Sequence, residues 1–207
     1  MRLVNGFIIA IVILFASPAV RGGDFQYFIT GGVAYPVYDK ELTNLYNAGL
    51  HLGIGLGYTL TDQLMLLGNI QISNLPLDKE AYLKSIDAFE KNNQVEEGSA
   101  SVLTGSLNLK YSFSRARSGE SLFLTGGATV ARFIAGDILF SESVQNDVIQ
   151  TVIDGKGQSA FGLNAGAGFN VHLSSKSFLF FEARYTVLFT DKPRVHIIPL
   201  QFGVAFR

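Results

Sequence analysis

The sequence predicts an all-β protein, an eight-stranded antiparallel up-and-down transmembrane β-barrel. Three observations carry that prediction. From residue 25 onward, apolar and polar residues alternate through eight successive segments, which is the period of a strand. The residues between the apolar ones are mostly Gly, Ser, Thr, Asn and Gln, with very few charges. The connections alternate between short and long, as when a chain zigzags through a layer. Composition agrees, since 22 Gly disfavour helix and 17 Phe favour strand.

The first segment, Phe25–Pro36, sets Phe25, Tyr27, Ile29, Gly31, Val33 and Tyr35 against Gln26, Phe28, Thr30, Gly32 and Ala34. The second, about Ala48 to Leu60, opposes Leu50, Leu52, Ile54, Leu56, Tyr58 and Leu60 to His51, Gly53, Gly55, Gly57 and Thr59. The third follows Thr61-Asp62 and opposes Leu64, Leu66, Ile70 and Ile72 to Asn69, Gln71 and Ser73, with Met65 and Leu67 blurring its start. In the fourth, Leu103, Leu107, Leu109, Tyr111 and Phe113 face away from Thr104, Ser106, Asn108, Lys110 and Ser112. The fifth, Ser121–Ala135, is mixed on both faces, with Leu122, Leu124, Ala128 and Val130 as its more apolar set. The sixth opposes Phe161, Leu163, Ala165, Ala167, Phe169 and Val171 to Gly162, Asn164, Gly166, Gly168 and Asn170. The seventh opposes Leu179, Phe181, Ala183, Tyr185, Val187 and Phe189 to Glu182, Arg184 and Thr186. The eighth opposes Ile198, Leu200, Phe202, Val204 and Phe206 to Pro199, Gln201, Gly203, Ala205 and Arg207.

Connections after the second, fourth and sixth segments are short: Thr61-Asp62, about Ser114–Gly119, and Ser174–Lys176. Those after the first, third and fifth are longer: about Val37–Asn47, Leu75–Gly98 and Gly136–Gln158. Only Asp191–Arg194 is short where the pattern permits length. Short turns on one rim and long loops on the other characterise barrels of the bacterial outer membrane. The polar face decides between membrane and water. A soluble, lipocalin-like barrel would turn a face rich in Lys and Glu outward, and neither face here has that composition. The apolar face carries Phe25, Tyr35, Tyr58, Tyr111, Phe113, Phe189 and Phe206 near strand ends, where aromatic girdles meet the membrane interfaces.

Residues 1–22 read as a signal peptide preceding a barrel domain over 23–207. Arg2 supplies positive charge, Phe7 to Ala16 a short apolar core, and Ser17-Pro18-Ala19 and Gly22 small residues for cleavage after Ala19 or Gly22. A spanning helix needs about 20 apolar residues, and this core is shorter.

The stretch from Gly31 to Leu75, with its Gly-Gly, its Tyr35-Pro36, its Gly-alternating strand and its Leu60-Thr61-Asp62 turn, resembles the start of small outer-membrane β-barrel domains of the OmpA/OmpX-like type. Glu182-Ala183-Arg184-Tyr185 resembles their late-strand Glu-x-Arg-Tyr, and Gly203 to Arg207 their last strand. Such proteins usually end on an aromatic residue, whereas this chain places Arg207 after Phe206. The resemblance implies that Phe202 and Phe206 belong to a C-terminal signal read by the outer-membrane insertion machinery. It implies outer-membrane lipids as surroundings, and it specifies architecture far better than activity.

Candidate chemistry is sparse. Glu182 and Arg184 share the lumen face, about 7 Å apart along the strand, and Lys110 points the same way from the fourth. They form either a charged constriction or a polar plug. The plug is favoured, because an eight-stranded barrel is just wide enough for its side chains to fill. His172, Ser174 and Glu182 have the order of a hydrolytic set, as in barrel enzymes that modify lipid A. Two of them fall at a short turn and the third further along the next strand, which argues against catalysis. The three His form no metal-ligand spacing, there is no Cys, and no cofactor is expected. A formal charge of -1 gives no reason to expect nucleic acid. In Asp78–Asn92, Tyr82, Leu83, Ile86 and Phe89 recur at helical spacing behind Asp78 as N-cap. Six acidic and three basic residues lie between Leu75 and Glu97, four acidic residues and one Lys between Gly136 and Gln158.

The expected function is that of a non-enzymatic outer-membrane barrel with a structural or surface-interaction role through its outer loops. The alternatives are a lipid A-modifying barrel enzyme, tested by assaying lipid A acyl chains with a His172→Ala control, and a lipocalin-like carrier, tested by extraction with salt against detergent. A diffusion pore is disfavoured by the strand count.

Overall fold

The computed structural model of the chain describes residues 25–37, 45–85, 93–113, 120–136, 138–144, 147–153, 157–174, 176–190 and 194–207. The expected signal peptide and most of the first long loop lie outside them. In chain order the elements are β1 (Phe25–Val37), β2 (Gly49–Thr59), β3 (Leu64–Pro76), α1 (Lys79–Ser85), β4 (Asn93–Glu97), β5 (Ser99–Ser112), β6 (Glu120–Ala135), β7 (Ile138–Val144), β8 (Asp147–Ile153), β9 (Gly157–His172), β10 (Ser177–Phe189) and β11 (Val195–Phe206).

Eight strands close into a barrel in the order β1-β11-β10-β9-β6-β5-β3-β2, every pair antiparallel. Pairing of the first strand with the last removes both free edges. Following the ladders once round from Tyr27, through Leu56, Gly68, Leu107, Ala128, Leu163, Val187 and His196, returns to β1 at Val37, a stagger of ten residues. That stagger tilts the strands against the barrel axis, by roughly 35–45° in closed barrels.

Alternation places the apolar set outside. Leu50, Ile54 and Leu122 are 71%, 63% and 64% exposed, while the residues between them turn inward. The ambiguous fifth segment resolves the same way: Leu122 and Leu124 face out, Phe123, Thr125 and Thr129 face in. Phe25 against Tyr58 and Tyr111 against Phe113 form ring pairs at the short-turn rim, and Phe161 stacks on Phe189 near the other rim.

The long loops hold more structure than expected. Asp78 caps α1, its Oδ1 accepting from the Ala81 N–H at 3.0 Å, so the helix begins where the capping pattern places it. It is described only to Ser85, and Ile86 and Phe89 lie outside the described residues. The segments β4, β7 and β8, expected as loop, form a three-stranded sheet. This sheet keeps the register of the barrel wall. Four residues beyond the pair Ile134↔Gly157 on both strands comes Ile138↔Ile153, the first pair of the β7–β8 ladder. Likewise Val95↔Phe140 lies five residues beyond Ala100↔Ala135, with an irregularity between Val95 and Glu97. One register therefore runs from the membrane wall into the outer sheet.

Candidate functional site

The lumen is layered. At the short-turn rim an aromatic layer gathers Phe28, Leu67, Phe123, Phe178 and Phe180 with Ala205 and Met65. Two inward glycines make room for it. A Cβ on Gly168 would run into the Phe123 ring, and one on Gly203 would meet Phe180 Cε1 at 2.7 Å and run into the Ile29 carbonyl oxygen. At the long-loop rim a second apolar layer joins Ala34, Leu75, Val102, Ala131, Leu188, Val195 and Ile197. A belt of polar side chains lies between the two layers.

Glu182 and Arg184 sit at the centre of that belt, 6% and 2% exposed. Residues i and i+2 of a strand share a face, so β10 presents both to the lumen. Glu182 Oε1 accepts from Arg184 Nε at 2.9 Å and from the Thr125 hydroxyl at 2.7 Å. Its Oε2 accepts from Arg184 Nη2 at 3.0 Å and from Gln201 Nε2 at 2.7 Å. Gln201 Oε1 in turn accepts from Gln71 Nε2 at 2.8 Å and from His51 Nε2 at 3.2 Å, and His51 Nδ1 meets Ser73 Oγ at 2.8 Å. With the Asn69 amide turned, its oxygen accepts from Arg184 Nη1 at 3.0 Å. The carboxylate is thus saturated by donors, which is how a buried charge is made tolerable.

Lys110 comes to the other side of a small cavity that it lines with this pair. Its Nζ donates to Asn170 Oδ1 at 3.0 Å and lies 3.8 Å from the centroid of the Phe123 ring, with Phe28, Phe178 and Phe180 at 5.5 to 5.7 Å. A desolvated cation over such rings gains about 2 kcal/mol or more. The inward Phe residues interrupt the polar pattern of their strands. The signal for the cage is that interruption, which recurs on β1, β6 and β10.

Little space is left within the belt. Cavities of about 10 Å³ beside Lys110 and Glu182 and about 20 Å³ beside His51 and Thr186 accompany the belt, each room for about one water. The hydrolytic order is not assembled. His172 pairs with Phe178, four residues short of Glu182 along β10 and so about 13 Å from it along the strand. The Ser174 hydroxyl is bonded to Ser177 at 2.7 Å. The histidines stay dispersed: His51 is inside, while His196 meets the Tyr185 hydroxyl at 2.6 Å on the outer face. Phe202 and Phe206 lie on the outer face of β11.

A closed barrel with an apolar outside and a packed polar inside defines a transmembrane β-barrel of the bacterial outer-membrane class. The chain belongs to the outer membrane protein beta-barrel domain family, whose profile matches residues 7–206. Solved structures share the fold. Neisserial surface protein A (NspA) is similar with a TM-score of 0.56 at 14% identity, over 90% of this chain and 99% of that one. A major outer membrane protein of Thermus thermophilus gives 0.54 at 11%, over 88% and 99%. OprG of Pseudomonas aeruginosa gives 0.51 at 13%, over 89% and 96%. No curated protein matches the chain.

Proposed function

We propose that this barrel serves as a scaffold that carries an interaction surface outside the cell, and that it performs no catalysis. The observation that carries this reading is the contrast between a polar belt packed to water-sized cavities and a three-stranded sheet beyond the long-loop rim that keeps the register of the wall. Among the described residues the packed belt leaves no path for solute from one rim to the other, whereas strands that keep the wall's register form a platform beyond it. The separation of His172, Ser174 and Glu182 supports the same reading against the lipid A-modifying alternative.

In this reading the long loops and outer sheet face outside and the short turns face the periplasm. Residues 1–22 are cleaved on export, lipids of the outer membrane surround the apolar face, and the insertion machinery reads Phe202 and Phe206. The test replaces residues 138–153 by a short turn. The shortened protein should still assemble in the outer membrane and should lose the partners that full-length protein captures at the cell surface. Restoration of a lipid A change by the shortened protein in a deletion strain would overturn the proposal, and N-terminal sequencing of the mature chain checks the cleavage.

A further inference from the structure

The lumen opens at the short-turn rim into a cavity of about 50 Å³, room for a few waters or one compact ion. Among its described lining residues are three cations, Lys110, Lys176 and Arg207, together with several serine hydroxyls, and neither Asp nor Glu. Even with an α-carboxylate at Arg207 counted, the cations outnumber it.

The donors are held in place. Lys110 is 4% exposed and forms the inner wall, its ammonium backed by the Phe123 ring and oriented by Asn170. Asn170 Nδ2 donates to Ser121 Oγ at 2.9 Å, which leaves the Ser121 proton free to be given elsewhere. At the entrance, with the Gln26 amide turned, its oxygen accepts from Arg207 Nε at 3.0 Å and Nη2 at 3.1 Å. Two of the five guanidinium N–H donors are thereby used to fix the side chain, and three remain. A buried ammonium whose described hydrogen-bond partner is a single amide oxygen has donors to spare, and the Glu182 carboxylate on its inner side is already taken up by Arg184, Thr125 and Gln201.

We propose that this mouth binds a compact oxyanion of the phosphate type, held between Lys110, Arg207 and Lys176 by charge-assisted hydrogen bonds. Free phosphate and the phosphate of an anionic lipid headgroup at this rim share that chemistry. The volume admits the oxyanion and little of what it is attached to.

The test uses the folded full-length barrel in nanodiscs of zwitterionic lipid, with inorganic phosphate as the probe. Phosphate titrated at constant ionic strength against chloride should give saturable shifts in the lysine side-chain NMR signals. Arg207→Gln and Lys110→Met should each weaken binding tenfold or more, while Arg194→Gln at the opposite rim should not change it. Should Lys110→Met fail to fold, Arg207→Gln together with Lys176→Gln keeps the test intact. In nanodiscs containing anionic phospholipid, competition with phosphate identifies a headgroup as the occupant, and unchanged binding identifies free phosphate. Shifts no larger than chloride produces, or binding unaltered in the Arg207 and Lys176 variants, would overturn the proposal.

Discussion

Replacing Glu182 by Gln keeps the shape of the side chain and removes its charge. All four hydrogen bonds to the carboxylate come from donors, two from Arg184 and one each from Thr125 and Gln201. An amide nitrogen in place of either oxygen therefore confronts a donor with a donor, and Arg184 loses its counter-ion at 2% exposure. Breaking a buried pair from one side costs about 3–5 kcal/mol. Arg184→Met strands the carboxylate in the same way and should cost a similar amount. The double variant leaves no charge behind and should be milder than either single one. With a urea dependence of about 2 kcal/mol/M, a loss of about 4 kcal/mol moves the unfolding midpoint by about 2 M. Equilibrium urea unfolding in lipid vesicles of fixed composition reads this directly. Single variants that lose under about 1 kcal/mol, the range of solvated surface pairs, would refute the argument. So would a double variant as damaged as the two singles added together.

Three further outcomes follow from the same geometry. Since the chain has no Cys, Lys84→Cys should react with an impermeant maleimide on intact cells and Lys176→Cys only after permeabilisation; the reverse would invert the topology. Phe206→Asp places a charge on the lipid face near an interface and should lower the folded fraction, read as the heat-modifiable gel band, more than Phe206→Ala does. Gly203→Leu should unseat Phe180 and the backbone at Ile29, lowering the folded fraction much more than Gly31→Leu, whose Cβ would have 3.6 Å to its nearest neighbour.

The membrane strands were legible because lipid enforces one rule on every outward position, and Leu50, Ile54 and Leu122 obey it. The fifth segment was harder to read because Phe123 is apolar yet faces in, and Arg132 is charged yet faces out. The Glu182–Arg184 pair follows from spacing alone, since residues two apart on a strand share a face. The surroundings of Lys110 do not, because Phe28, Phe123 and Phe178 are brought to it from β1, β6 and β10 by closure of the barrel. Beyond the long-loop rim the sequence shows no such alternation. The strands β4, β7 and β8 are recognisable only from their partners, through the register they inherit from β5, β6 and β9.

The apolar layer at the long-loop rim bears on how such a chain can change over generations. It is built from wall residues, among them Ala34, Val102, Ala131, Leu188 and Ile197, each carried by a strand of the barrel itself. The lumen is therefore packed below the loops. Substitutions, insertions and deletions above that layer can accumulate without disturbing its packing. The loop tips are free to diverge, while the wall beneath them stays under the slower constraint of packing.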